Sequence, residues 1–209
     1  MSEVLVNQDY SLVVRDLEKY VTLFEEQFPL EDFAKGEFKQ HPAVTLLTCS
    51  DARMPVTVFG PIFNRIFSVE NIGNQVKTSA GSVLYGLLHL HTPVMIVAGH
   101  TDCGAINSAN SNFVDEPMAI RNELSIVKNS LEDVLYKTGF VPDEDSGLKF
   151  SQLAELNVDM QVEYLLAHRA VANLVEKKHL IILGIMEDLH NVHGNGHAKL
   201  YTVNVNGEV

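Results

Sequence analysis

The stretch Ala43-Val44-Thr45-Leu46-Leu47-Thr48-Cys49-Ser50-Asp51-Ala52-Arg53 decides the fold. Its first six residues are apolar or β-branched without a break, which is too short for a buried helix and fits a strand covered on both faces. The strand ends on a cysteine, and a short charged turn follows. The same order recurs downstream. Pro93 opens Val94-Met95-Ile96-Val97-Ala98, which runs through Gly99 into His100-Thr101-Asp102-Cys103-Gly104. Two further runs, Arg65 to Val69 and Leu180 to Ile185, also read as strands. Between them the spacing turns helical, with Val83, Leu84, Leu87, Leu88 and Leu90 on one wide face of residues 76–91. Residues 117–178 read as mostly helical, with a break over 139–147 where Pro142 meets the solvated acids Asp143, Glu144 and Asp145. Residues 199–205 alternate as the edge strand of a C-terminal hairpin does. Upstream, Val13, Leu17, Tyr20, Val21, Phe24 and Phe28 mark a helix that Pro29 closes. Apolar strands separated by helices make an α/β domain with a mostly parallel sheet flanked by helices. The expected organisation is a single domain over 1–209, with a helical arm over 1–39 and a core over 40–209.

Composition narrows the function. With 209 residues, 46 % apolar and 20 % charged, the chain has the make-up of a globular protein and not of a disordered one. A chain of this size buries roughly 70 % of its unfolded surface and needs no disulfide framework. Acids outnumber bases 27 to 15, a net charge of −12, and no Lys/Arg cluster interrupts this, so nucleic acid is excluded as a partner. No apolar run reaches membrane-spanning length, and Met1-Ser2-Glu3 opens no signal segment, so the expected setting is cytoplasmic, away from membranes.

The two cysteines, Cys49 and Cys103, both fall just past strand ends, where ligands collect in open α/β sheets. Two thiolates and the imidazole of His100 form a borderline-soft donor set that suits zinc. His100 and Cys103 are three residues apart, so one turn aims both at a single point, and Cys49 arrives from a neighbouring strand. Three protein ligands leave a fourth position open, as catalytic zinc sites do. The competing reading is two ordinary core cysteines. A disulfide between them is disfavoured in a reducing compartment.

These residues resemble the signature of the β-class carbonic anhydrases: Cys-x-Asp-x-Arg, followed about fifty residues later by His-x-x-Cys-Gly. The likeness is strongest from Gln40 to Ala105. It implies Cys49, His100 and Cys103 as ligands of one zinc per subunit, and reversible hydration of CO2 to bicarbonate by a zinc-bound hydroxide. It implies that Asp51 accepts a hydrogen bond from the zinc-bound water, or in a closed state becomes the fourth ligand, and that Arg53 holds Asp51 away from the metal. Gln40, Phe67, Ile72, Tyr85 and Gly104 match the family's substrate-pocket positions, and Val76 extends the dry wall. Gln40 would reach across from a second subunit of a homodimer or tetramer.

Several points depart from the pattern or stay open. Many members carry Arg-Asn where this chain has Glu70-Asn71, so a second bicarbonate site using that arginine is not expected here. His190, His193 and His197 sit in a Gly/Asn-rich turn and read as a solvated hairpin loop. Hydrolysis of COS or CS2 on the same fold is the neighbouring chemistry, and a non-catalytic zinc or redox-sensing protein is the alternative from another class.

Overall fold

A computed structural model of the chain describes residues 10–31, 39–143 and 146–209. The chain divides into two compact units, 1–40 and 41–209. In the first, helix α1 spans Tyr10–Gln27. Its apolar stripe, including Leu17, Tyr20, Val21 and Phe24, is exposed. Phe24 and Phe28 meet edge to face with ring centroids 5.8 Å apart. The remainder of the expected arm, 1–9 and 32–38, lies outside the described residues, as do Glu144 and Asp145 of the acidic stretch.

The second unit holds a five-stranded sheet of β1 (Val44–Cys49), β2 (Ile66–Asn71), β3 (Val94–His100), β4 (Ile181–Asp188) and β5 (Lys199–Val205). The strand order is β2-β1-β3-β4-β5. β1 to β4 pair in parallel and β5 returns antiparallel to β4, as the hairpin reading of 199–205 requires. Every residue of β1 is buried, which is why its sequence is a continuous apolar run. Edge strand β2 buries only Ile66 and Val69, its other residues being partly or fully exposed.

Helices α2 (Ala80–Leu84), α3 (Gly104–Ala109), α4 (Met118–Thr138), α5 (Ser146–Leu166) and α6 (Arg169–Glu176) complete the unit. The break read over 139–147 is real: α4 ends at Gly139 in the left-handed conformation, φ 63°. The principal core joins Leu47, Val97, Ile182 and Met186 of the sheet to Val83, Val127, Leu153, Val158 and Val171 of the helices. The opposite face carries a smaller cluster of Val44, Leu46, Ile66, Ile96 and Ala98, with Met54, Val56 and Phe59 over it. Within this unit the helices therefore gather on one face of the sheet. Among the described residues no helix is long and apolar enough to cross a membrane.

The helix read over 76–91 is shorter and less regular than its spacing predicts. α2 gives way to a π-helical turn over Tyr85–His89. Gly86 explains the close approach there, since a Cβ at this position would collide with Thr45 Oγ1 on β1. β4 runs three residues past its apolar run, because Glu187 and Asp188 are buried despite their charge.

Candidate metal centre

β1 and β3 are neighbours, so their carboxyl ends bring Cys49 and the His100-to-Cys103 turn to one corner. Cys49 Sγ and Cys103 Sγ lie 3.9 Å apart, both buried. The donor atoms of Cys49, His100 and Cys103 all fall within 4.8 Å of one another, the one such metal-competent group among the described residues. His100 Nδ1 is 2.9 Å from the Thr101 carbonyl. A carbonyl only accepts, so Nδ1 carries the proton and Nε2 presents its lone pair. That Nε2 is fully buried with no hydrogen-bond partner, an arrangement that is costly unless something binds there. Two sulfurs bonded to a tetrahedral zinc stand about 3.8 Å apart. The corner fits such an ion.

Charge at the corner follows from the same contacts. The Cys103 thiol hydrogen-bonds to Cys49 and, against burial, lowers the Cys49 thiol to about 4, with help from His100 and the Gly73 amide. Cys103 is pushed up in turn by the Cys49 thiolate and by burial, although the amides of Ile106 and Ala105 oppose this. Burial favours neutral His100, but Cys49, the Thr101 carbonyl and Asp51 together raise the imidazole.

Asp51 and Arg53 form a bidentate pair. Arg53 Nε donates to Asp51 Oδ1 at 3.0 Å and Nη2 donates to Oδ2 at 2.8 Å. The Arg53 amide adds a third bond to Oδ1 at 2.9 Å. These bonds, the side-chain ones foremost, hold the Asp51 carboxyl down to about 2. Asp51 Oδ2 also lies 3.7 Å from His100 Nε2, so this carboxylate borders the point on which the three ligand atoms converge.

The other predicted residues are spread more widely. Ile72 is half-buried and Val76 is buried, on the loop that follows β2 beside the corner. Gly104 opens α3 and faces open space. Phe67 and Tyr85 pack together, ring centroids 6.0 Å apart, but Phe67 stands opposite Thr45 in the sheet. That is four residues before Cys49, about 13 Å along the strand, so a single chain does not bring this aromatic pair to its own cysteines. Tyr85 is exposed and stacks on His89. Gln40 is exposed and closes the first unit.

Some features of the site were not anticipated in the sequence. Gly73, at φ +71°, occupies a position where a Cβ would come within 2.9 Å of Val127. Its carbonyl accepts from Gln75 Nε2 at 2.7 Å and from Asn157 Nδ2 at 3.0 Å. Gln75 bonds onward to Asn157, Ser130 and Gln161, all buried. Beyond Arg53 lie Asp102 and His190, the latter read from sequence as solvated loop. His193 meets Tyr201 and Glu155 instead. Buried Glu187, beside His100 in the sheet register, has an oxygen without a partner, and burial pushes its carboxyl up. Sequence offered one local signal for this scaffold, the Gly73-Asn74 pair. The amide network links residues up to 86 positions apart and leaves no spacing to read.

Fold and corner together define an α/β protein with a buried two-cysteine, one-histidine cluster able to hold a metal ion at the carboxyl ends of a parallel sheet. A carbonic anhydrase family model matches residues 44–195, and this chain belongs to the carbonic anhydrase family, in its β class. The carbonic anhydrase of Emericella nidulans is 32 % identical over 135 residues, 61 % of this chain and 57 % of that protein. The carbonic anhydrase of Synechococcus elongatus is 27 % identical over 166 residues, 74 % of this chain and 58 % of that one. The match thus spans little more than half the length of these relatives. A β-carbonic anhydrase of the ascomycete Sordaria macrospora, described as tetrameric, shares the fold with a TM-score of 0.69 at 19 % identity, over 92 % of this chain and 94 % of that one.

Proposed function

We propose that the chain is a zinc-dependent carbonate dehydratase that interconverts CO2 and bicarbonate. The observation that carries this reading is the placement of the Asp51 carboxylate, gripped by Arg53, at the edge of the buried corner formed by Cys49, His100 and Cys103. Those three residues would hold the zinc, which supplies the Lewis acidity that makes a water nucleophilic near neutral pH. Two thiolates donate more charge than neutral imidazoles would, so the water needs a hydrogen-bond acceptor beside it. Asp51 is that acceptor. With its carboxyl at about 2 it is ionised across the whole neutral range. Arg53 keeps both oxygens in place and away from the metal position. Ile72 and Val76 supply an apolar wall suited to CO2, and Gly104 leaves the approach open.

Gln40, Phe67 and Tyr85 then serve the pocket of a second subunit, in a homodimer or a tetramer. The distance of Phe67 from Cys49 along the sheet supports this, as does the exposed apolar stripe of α1. The two free thiols suit a reducing compartment such as the cytoplasm.

Turnover of CO2 and COS by the same zinc-loaded sample, followed side by side, tests the reading. Faster turnover of CO2 is expected. Preference for COS would reassign the substrate, and zinc-loaded protein inert to both would mark a non-catalytic site. Sedimentation should show the active species larger than one chain. A fully active single chain would refute the shared pocket.

A further inference from the structure

Arg53 is held from two sides. Its Nε and Nη2 edge grips Asp51, while Nη1 donates to Asp102 Oδ2 and Nη2 to the Asp102 carbonyl, each at 3.1 Å. His190 Nε2 stands 3.2 Å from the same Asp102 Oδ2 and 3.5 Å from Arg53 Nη1. Asn107 Nδ2 approaches the other Asp102 oxygen at 3.4 Å. Asp102 occupies the left-handed region, φ +55°, a conformation that few residue types other than glycine, aspartate and asparagine adopt readily. The guanidinium thereby ties the loop after β1 to the loop after β3, the two loops that carry the ligand set.

We propose that Asp102, steadied by His190, is a positioning residue: it takes the far edge of Arg53 and so fixes the rotation at which the near edge holds Asp51. Arg53 is nearly half exposed, and a long exposed side chain pinned by one carboxylate alone is free to swing with it. Pinned by two carboxylates and a carbonyl, the planar fork has one orientation that satisfies its donors. The contribution is geometric. A guanidinium keeps its proton at all working pH values, so the chain Asp51–Arg53–Asp102–His190 fixes a position and does not relay protons. The inference rests on the roles given above to Asp51 and Arg53.

Asp102→Asn is the decisive variant, because asparagine tolerates the same backbone conformation and keeps the side-chain shape while losing the charge. In metal-free protein, NMR of the Arg53 guanidinium should show Hε exchange about 5-fold faster and freer rotation of the Nη groups as the far edge is released. Zinc content should be unchanged. The kcat for CO2 hydration should fall about 10-fold with KM unmoved, because the lost contact positions a group used in the transition state. His190→Gln should give about a third of that loss, since it acts one contact further out. In an Arg53→Lys background, Asp102→Asn should add nothing, because the grip it supports is already gone. Wild-type kcat in Asp102→Asn, unchanged guanidinium exchange, or a full additional loss in the Arg53→Lys background would each overturn the proposal. If the zinc-loaded wild type fails to hydrate CO2, the functional reading falls, while guanidinium exchange in the metal-free protein still decides whether Asp102 holds Arg53.

Discussion

The cysteine–histidine corner is supported by two networks of opposite character. On its outer side, Asp51, Arg53, Asp102 and His190 form a charged, partly exposed cluster. On its inner side, Gln75, Ser130, Asn157 and Gln161 form a neutral cluster that is buried throughout. Desolvation explains the division. Charges removed from water cost several kcal/mol each, whereas amides and a hydroxyl that saturate one another cost little and lock one geometry. The inner network places the Gly73 amide on Cys49 and serves the fold of the loop. The outer network holds the Asp51 carboxylate at the edge of the cysteine–histidine corner.

Variants can break this comparison at its shared corner or on either side. The largest effect is expected at the corner itself. Cys49→Ser or Cys103→Ser should lose most of the zinc and, with it, hydration, because a hydroxyl is a far poorer zinc ligand than a thiolate. Full zinc in either variant by elemental analysis would remove that residue from the ligand set. Next comes the outer side. Arg53→Ala should retain zinc yet lose hydration about 100-fold, since Asp51 is then free to misplace or block the nucleophile. Stopped-flow rates near wild type would reduce the pair to a surface ion pair.

An inner-side variant should separate stability from chemistry. Asn157→Ala removes the acceptor shared by Gln75 Nε2 and Gln161 Nε2 and one of the two side-chain donors to the Gly73 carbonyl, and should cost about 2–4 kcal/mol in denaturant unfolding. The folded fraction should keep its zinc. If unfolding is unaffected, the inner network is not the scaffold of the loop. The smallest effect is expected at Glu187, whose buried carboxyl has its pKa raised by desolvation. A raised carboxyl pKa favours folding least where the unfolded chain is ionised, so the penalty is absent below the unfolded value of about 4.3 and develops as pH rises above it. Glu187→Gln should therefore raise the Tm by about 2–4 °C at pH 8 and leave it unchanged near pH 3.5. A gain of equal size at both pH values would assign the effect to packing.

The same division governs what the sequence discloses. β1 and β3 are legible because both are central and buried, so their residues run apolar or β-branched with little interruption, and each ends on a candidate ligand. Asp51 and Arg53 are legible because their partners are two residues apart and local. Asp102 stands in the quoted motif, but its role depends on Arg53, 49 positions away, and on the return of β4, which delivers His190. Gln75, Asn157 and Gln161 look like ordinary polar residues in sequence, since their burial is set by how α5 packs on the sheet. The π-helical turn at Tyr85–His89 leaves no mark in the apolar spacing, because one extra residue in a turn shifts the pattern less than the width of the apolar face.

The central claim is that the zinc held by Cys49, His100 and Cys103 makes this chain a carbonate dehydratase. Titrating zinc into metal-free protein, with bound metal and CO2 hydration measured on the same samples, tests it directly. The rate should rise in proportion to bound zinc and level off at about one ion per chain, as a three-ligand catalytic site requires. Protein that binds one zinc per chain and hydrates CO2 no faster than buffer would contradict it.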